Sequence, residues 1–202
     1  MADPDIDTVF ILTRHDTHAN LAMRALQAGK HVFVEKPLAL THDELNAVRA
    51  AAAESDRLLT VGFNRRFAPL TVEMAGLLAR RIGPVSIVIT VNAGAVPPDH
   101  WVQHPVLGGG RIVGEACHFI DLARALTGAP IASCDAVAAR GRDGRPIDDI
   151  AHLTLSFADG STAVVHYLAN GSRAFPKERI EAFFDGRTCA IDNWRRLHRY
   201  GT

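Results

Sequence analysis

The sequence predicts an α/β protein in which a partial, parallel β-α-β-α-β unit precedes an α+β domain with a mostly antiparallel open sheet. Two observations support this division. Over the first third of the chain, short apolar runs alternate with helical patterns, which is typical of buried parallel strands. Later runs are separated by Asp-Gly pairs, which favour tight hairpins between antiparallel strands. We expect domains of residues 1–66 and 67–202.

The first domain is predicted from its apolar runs and its helix ends. Its strands are expected at Thr8–Leu12, His31–Val34 and Arg57–Val61. Thr17 is expected to cap the first helix, and Gly29 to follow its last turn. Thr41 and Glu44 have the spacing of a capping box before the second helix. Right-handed crossovers then make the three strands parallel.

The second domain has a different pattern. Helices are expected at Pro69–Arg80 and Ile112–Leu126. Strands are expected at Pro84–Asn92, Cys134–Arg140, Ala151–Phe157, Thr162–Ala169, Arg179–Phe184 and Thr188–Asn193. We expect the helices to cover one face of this sheet. The other face is either solvated or covered by a partner.

Composition narrows the class of function. The 22 basic residues balance the 22 acidic ones, so neither nucleic acid nor an anionic membrane is an expected partner. The apolar runs are too short to span a bilayer. The three cysteines are scattered, which suits a reducing cytoplasm and favours neither a disulfide framework nor a metal site.

The ends of the predicted parallel strands are the first candidate site. Ligands of open α/β sheets bind outside the carboxyl ends of the strands, where Thr13, Glu35-Lys36-Pro37 and Gly62 emerge. A lysine held before a proline can polarise a hydroxyl or carbonyl group and relay its proton. By residue type and position alone, a solvated loop lysine is the commoner outcome.

Glu115 and His118 form the second candidate, because residues three apart share a helix face. A carboxylate beside an imidazole raises its basicity and fixes its tautomer, which suits proton removal from an alcohol. The alternative is a partly buried histidine with a surface ion pair. Asp121, one turn further on, is expected to orient His118 or to cap a neighbouring element.

Several other residues are weaker candidates. Gly108-Gly109-Gly110 lacks the strand-and-helix context of a dinucleotide loop, so we interpret it as a close-packed entry to the helix. Trp101 is expected at the rim of the same site. His15 and His18 have an H-x-x-H spacing without a third metal ligand. Arg66 could contact a phosphate or a sugar hydroxyl, or be ordinary surface charge.

In their order along the chain, these segments resemble the Gfo/Idh/MocA family of oxidoreductases (glucose–fructose oxidoreductase and inositol dehydrogenase). The resemblance rests on four stretches and covers nearly the whole chain. They are Asp7–His18, Ala28–Ala39 with its Ala-Gly-Lys-His-Val and Glu-Lys-Pro motifs, Val61–Pro69, and Gly108–Asp121.

The resemblance implies a Rossmann domain that binds NAD or NADP, followed by a substrate domain whose open sheet makes homo-oligomer contacts. The implied reaction is hydride transfer between the cofactor and a sugar or polyol. Lys36 would lie at the reaction centre before an often cis proline, and His118 would be the acid/base. The residues implied or expected to contact the cofactor are Thr13, His18, Glu35, Pro37, Asn64, Arg66 and Trp101.

The sequence also departs from the family pattern. Gly114 replaces the aspartate of the pattern Gly-Gly-Gly-x-x-x-Asp-x-Gly-x-His, and Ala116 replaces the glycine that follows it. Glu115 is expected to substitute for the aspartate. This variant resembles a subgroup in which an alcohol-dehydrogenase-like domain precedes the unit. Relatives begin with a G-x-G-x-x-G turn, whereas this chain opens at the equivalent of a fourth strand.

We therefore expect a chain truncated at its N-terminus, with poor cofactor affinity in isolation and an exposed apolar sheet edge. The missing N-terminal segment is one expected partner of that edge. The alternative to an enzyme is a non-catalytic nucleotide-binding or dimerisation module, or an inactive fragment, of the same fold.

Overall fold

A computed structural model describes residues 3–201 of the 202-residue chain. The chain forms two compact units. The first contains the residues up to Phe63 together with 98–117, and the second contains 64–97 and the residues from His118 onward. The sequence-based boundary at 66/67 is linear and did not anticipate that 98–117 would pack with the first unit.

The first unit contains the predicted parallel sheet. Its elements in chain order are β1 (Thr8–Ile11), α1 (His15–Gln27), β2 (His31–Val34), α2 (His42–Ala53) and β3 (Leu59–Val61). The strands pair in parallel in the order β1-β2-β3. Alternate strand residues such as Ile11, Val32 and Val34 are buried in a core with Ala22, Ala25 and Leu26 of α1. Apolar strands and one apolar helix face therefore specify this unit.

The helix ends of this unit confirm two predictions and correct a third. Thr41 and Glu44 form the expected capping box, and Gly29 follows α1 with a φ of +70°. Thr17 does not cap α1, because the helix begins two residues earlier, at His15. The backbone N–H of Asp16 donates to the carbonyl oxygen of Leu107, a tertiary contact that supports the earlier start.

One face of the three-stranded sheet is open in this chain. Phe10 and Leu58 are 66% and 70% exposed, and Phe10 packs beside Phe33 with ring centroids 5.4 Å apart. A groove of about 310 Å³ crosses this face beside Thr8 and His31. The three-stranded sheet thus presents the exposed apolar surface that the sequence predicted.

The second unit contains a seven-stranded sheet in the order β10-β9-β8-β4-β7-β6-β5. Its strands are β4 (Ser86–Asn92), β5 (Ile131–Arg140), β6 (Pro146–Phe157), β7 (Thr162–Leu168), β8 (Glu178–Phe184), β9 (Arg187–Asp192) and β10 (Arg196–Tyr200). Neighbouring strands are antiparallel except β4 and β7, which are parallel. Asp185 and Gly186 have φ values of 46° and 72° in the β8–β9 turn, as the Asp-Gly signal predicted.

The remaining helices refine two predicted ones. The helix predicted over Pro69–Arg80 is α3 (Pro69–Leu78), which contacts β9 and β10. The helix predicted over Ile112–Leu126 begins as a π-helical segment, Ile112–Ala116, and continues as α4 (Cys117–Thr127). Short 3₁₀ turns lie at Asn64–Phe67 and Trp101–Gln103. Within residues 3–201, every helix falls short of the length and apolar character that a bilayer crossing requires.

Candidate active site

The carboxyl ends of the three parallel strands meet at one edge of the first unit, as predicted. The backbone N–H of Glu35, just after β2, donates to Ile11 of β1 at 2.9 Å. The N–H of Gly62, just after β3, donates to Val34 of β2 at 2.8 Å. A side chain on Gly62 would approach the Glu35 carboxylate to 3.0 Å, so the segments after β2 and β3 are tightly apposed.

Lys36 lies at this edge and is partly buried. Its Nζ donates a hydrogen bond of 2.6 Å to the carbonyl oxygen of Gly114. The peptide bond between Lys36 and Pro37 is cis, as the resemblance implied. The Glu35 carboxylate accepts from the Lys36 backbone N–H at 3.2 Å. The ammonium group is therefore held in one place and retains two further N–H donors.

His18 ties two strand ends together. Its ring is fully buried, with Nδ1 2.8 Å from the carbonyl oxygen of Pro37 and Nε2 2.9 Å from that of Thr13. Both ring nitrogens thus lie within hydrogen-bonding distance of backbone carbonyl oxygens, and the ring packs between the two segments. The structure therefore gives His18 a positioning role behind the edge, whereas Thr13 is exposed at the edge itself.

His15 has no partner predicted from the sequence but is packed into the same edge. Its Nδ1 is 2.8 Å from the carbonyl oxygen of Gly108, and its ring makes an edge contact with Trp101 at a centroid distance of 4.8 Å. Burial lowers the pKa of His15 below its ordinary value of 6.5, although the Gly108 hydrogen bond opposes this. The charges of Lys36 and His18 lower the pKa further.

The glycine-rich entry to the helix is close-packed, as we interpreted it. A side chain on Gly108 would approach the backbone of Val102 to within 2.3 Å. Gly114 also faces a neighbour, since an added Cβ would lie 3.0 Å from Cε1 of His15. The absence of a side chain at Gly114 thus makes room for the His15 imidazole.

Glu115 forms an ion pair with the buried side chain of Arg111, which the sequence analysis did not predict. Nη2 of Arg111 donates to the Glu115 carboxylate at 2.8 Å, and the Arg111 side chain is 5% exposed. The two residues have the i,i+4 spacing of a helical ion pair, so a charge-pattern search would have found them. The predicted support of His118 by Glu115 stays a prediction.

His118 and Asp121 belong to the second unit. His118 lies in the first turn of α4 and is 5% exposed. Asp121 accepts two hydrogen bonds from the guanidinium group of Arg66, one of them 2.9 Å long from Nε. The hydrogen bonds with Asp121 raise the pKa of Arg66. Arg66 therefore orients Asp121. The sequence around these two residues did not indicate that they form an ion pair.

The other predicted site residues differ in exposure. Asn64 is exposed at the start of the 3₁₀ turn in the second unit. Glu35 and Trp101 are half-buried and Pro37 is buried in the first unit. Within residues 3–201, no three His, Cys, Asp or Glu side chains converge as metal ligands would. The first unit thus brings together Lys36, Glu35, Pro37, Trp101 and His15.

Chemically, the first unit offers a fixed ammonium group beside a half-buried aromatic ring and a neutral imidazole. An ammonium group can donate to an oxygen that gains negative charge, as in alcohol oxidation. These groups suit a reaction in which a hydroxyl group loses its proton.

Two family models match the chain. One, described as "Oxidoreductase family, NAD-binding Rossmann fold", matches residues 1–63. The other, described as "GFO/IDH/MocA C-terminal domain", matches residues 76–187. The first match lies within residues 1–66 and the second within residues 67–202.

Individual dehydrogenases and oxidoreductases are also similar to this chain. The inositol 2-dehydrogenase of Rhizobium meliloti is 32% identical over 200 residues, which cover 96% of this chain and 59% of that protein. An aldose-aldose oxidoreductase from Caulobacter crescentus, solved with glycerol, superposes with a TM-score of 0.82 at 28% identity. The alignment covers 98% of this chain and 61% of that chain.

A levoglucosan dehydrogenase solved with NADH and L-sorbose superposes with a TM-score of 0.84 at 28% identity, covering 98% of this chain and 57% of that chain. The chain thus spans less than two thirds of the length of these relatives. The chain belongs to the Gfo/Idh/MocA family of oxidoreductases.

Proposed function

We propose that this chain forms part of an NAD(P)-dependent dehydrogenase that transfers a hydride between the nicotinamide and a sugar or polyol. The observation that carries the proposal is the hydrogen bond of 2.6 Å that fixes the Lys36 ammonium at the strand edge. The names of the relatives support the substrate class, since they include an inositol 2-dehydrogenase and a D-xylose 1-dehydrogenase.

Lys36 and His118 have separate roles in this proposal. One N–H of Lys36 bonds to Gly114, and a second is available to donate to the substrate oxygen. That donation stabilises the negative charge that develops as the hydroxyl proton leaves. His118 accepts the proton while the carbon–hydrogen bond breaks and a carbonyl group forms. In the reverse direction His118 returns the proton.

Asp121 and Glu115 support this chemistry in the proposal, each held by an arginine. Arg66 fixes the Asp121 carboxylate one helical turn after His118 in the sequence. Arg111 fixes Glu115, which directly follows the glycine that Lys36 contacts. We propose that both are positioning residues, because their carboxylates are already engaged by arginine.

The cofactor fits the strand edge at its nicotinamide end. When bound, the nicotinamide ring supplies the site that accepts the hydride. Lys36 offers donors at this edge. The exposed Thr13 hydroxyl offers an acceptor, because its hydrogen is donated to Thr17, and Trp101 offers an aromatic wall beside His15. The N–H of Asp16 is occupied by Leu107, and Asp16 adds a negative charge to the first turn of α1. That helix start is therefore unsuited to a pyrophosphate.

The remaining proposed cofactor contacts follow the same edge. Glu35 and Pro37 lie on either side of Lys36, and His18 holds Pro37 in place from behind. We propose that Asn64 contacts the cofactor directly, since its side chain is exposed. Arg66 contributes through Asp121 instead, because that ion pair already uses its guanidinium group.

We also propose that a second copy of the chain covers the open face of the seven-stranded sheet. The exposed fractions of Val137, Phe183 and Tyr200 are 68%, 43% and 56%. These residues lie on β5, β8 and β10, so they are distributed across the width of this sheet. Light scattering of the purified chain should give twice the monomer mass. A Phe183→Glu substitution should return the monomer, and a monomeric parent chain would contradict the proposal.

The function is tested by supplying the purified chain with millimolar NAD or NADP and a panel of polyols and aldoses. The proposal predicts formation of reduced nicotinamide with at least one of them, at a rate that Lys36→Ala abolishes. Formation of reduced nicotinamide with none, at a cofactor concentration that saturates the chain, would contradict the proposal and favour a non-catalytic module of the same fold.

A further inference from the structure

The tautomer of His15 is fixed by a backbone hydrogen bond. A carbonyl oxygen only accepts hydrogen bonds, so Nδ1, which is 2.8 Å from the Gly108 oxygen, must carry the hydrogen. In the neutral ring, Nε2 then carries the lone pair. His15 therefore presents one acceptor with a defined direction.

The ring of His15 and the ammonium of Lys36 flank the same glycine. An added Cβ on Gly114 would lie 3.0 Å from Cε1 of His15, and the Gly114 oxygen is 2.6 Å from Nζ of Lys36. The Cε1–Nδ1 edge of the ring faces Gly114, and Nε2 is the next ring atom beyond Cε1. A small molecule whose oxygen contacts Lys36 thus has its neighbouring groups near His15.

The imidazole is held rigidly and stays neutral near neutral pH. Trp101 packs on it edge-on at 4.8 Å, and the ring of His18 lies 5.8 Å away. His15 is only 8% exposed. Burial lowers its pKa, and the charged groups that face it are Lys36 and His18, which lower the pKa further, and Asp16, which raises it.

We propose that His15 is a substrate-binding residue of the reaction site, whose Nε2 accepts a hydrogen bond from a hydroxyl group next to the carbon that is oxidised. The inference rests on the proposed dehydrogenase function. It adds a specificity-determining residue, because a polyol with a hydroxyl at that neighbouring carbon satisfies Nε2 and its deoxy analogue leaves Nε2 unpaired.

A matched set of variants separates this role from a structural one. In His15→Asn the side-chain amide can still donate to Gly108, but no atom takes the place of Nε2. His15→Gln instead places an amide oxygen at about the reach of Nε2. His42→Asn, at an exposed position in the first turn of α2, is the control and should behave as the parent chain.

The kinetic test uses myo-inositol and the two deoxy-inositols that each lack one hydroxyl beside the axial one. We expect the parent chain to prefer myo-inositol to one of them by about tenfold in kcat/KM. His15→Asn should lose this preference through a higher KM at similar kcat, and His15→Gln should restore part of it. In the parent chain only, KM should rise as the pH falls through the lowered pKa of His15.

A second readout does not depend on turnover. Nitrogen NMR of the histidine-labelled chain, with His15 assigned from His15→Asn, should show hydrogen on Nδ1 and a shift of Nε2 when myo-inositol is added. Hydrogen on Nε2, no shift on addition, or full deoxy discrimination in His15→Asn would overturn the inference alone. If none of the polyols supports reduction of the nicotinamide by the parent chain, the proposed function is overturned instead. The NMR result would still decide the role of His15.

Discussion

The Lys36 ammonium donates a hydrogen bond of 2.6 Å to the carbonyl oxygen of Gly114, a residue 78 positions later in the chain. The lysine follows β2, and the glycine lies in the π-helical segment Ile112–Ala116. The contact joins the strand edge to the segment that leads into α4. Predictions about the site and its scaffold follow from this packing and from the charge pairs of the second unit.

Gly114 has no room for a side chain. Gly114→Ala should reduce the free energy of unfolding by about 1–3 kcal/mol, because the new Cβ would lie 3.0 Å from Cε1 of His15 and must displace the ring. Gly76→Ala is the control, since no heavy atom lies within 4 Å of its added Cβ. In helix α3 that change should stabilise by about 0.5–1 kcal/mol. Urea unfolding of both variants checks the contrast, and equal effects would contradict it.

Glu178 is the buried acceptor of a charged cluster in the second unit. It accepts from Arg65 at 2.7 and 3.0 Å and from Nε1 of Trp194 at 2.7 Å, and its side chain is 4% exposed. Glu178→Gln leaves the Arg65 charge without its anion and should destabilise by about 3 kcal/mol. The same change at Glu181, whose partner Arg179 is 46% exposed, should cost less than about 1 kcal/mol. Chemical denaturation of the pair decides, and a smaller loss for Glu178→Gln than for Glu181→Gln would refute this assignment.

Asp185 makes stability depend on pH in acid. The backbone N–H groups of Ile82 and Gly83 donate to its carboxylate and lower its pKa below the ordinary value of 3.8, with Arg187 adding to the effect. The folded chain therefore gains stability above the unfolded pKa and loses it as the pH falls through the lowered value. Asparagine tolerates the φ of 46° at this position, so Asp185→Asn removes the charge without backbone strain. The stability of the variant should differ from that of the parent at neutral pH and converge with it in acid. Thermal melts across this range test the prediction, and a constant difference at all pH values would contradict it.

We expect the described residues to bind the nicotinamide end of the cofactor better than its pyrophosphate. The start of α1 is occupied by the Asp16–Leu107 hydrogen bond and carries an acidic side chain. Calorimetric titration of the chain with NADH should therefore show millimolar rather than micromolar binding. Nicotinamide mononucleotide should bind about as well as NADH. Submicromolar binding of NADH would show that a pyrophosphate site had been overlooked.

Local signals predicted most of the fold because they depend on neighbouring residues. The capping box at Thr41, the glycine after α1 and the Asp185-Gly186 turn all appear where the sequence indicated. The early start of α1 and the parallel pairing of β4 with β7 were not predicted. Both depend on residues distant in sequence, such as Leu107 for α1.

The candidate site was predicted in its position but not in its charge pairs. The carboxyl edge and Lys36 followed from parallel topology, and the family resemblance added the cis bond before Pro37. The pairing of Arg66 with Asp121 joins residues 55 positions apart, and no periodic pattern indicates it. His15 had no recognisable partner, because its hydrogen bond goes to a backbone oxygen 93 residues away.

We propose that the Lys36 ammonium acts on the substrate oxygen. The quantity to measure is kcat/KM for polyol oxidation by Lys36→Met, which keeps most of the apolar side chain and removes the ammonium group. Lys177→Met, at a half-exposed lysine, is the control. We expect kcat/KM to fall about 10²–10⁴-fold for Lys36→Met, and we expect parent-like turnover for the control. Turnover of Lys36→Met within about threefold of the parent chain would contradict it.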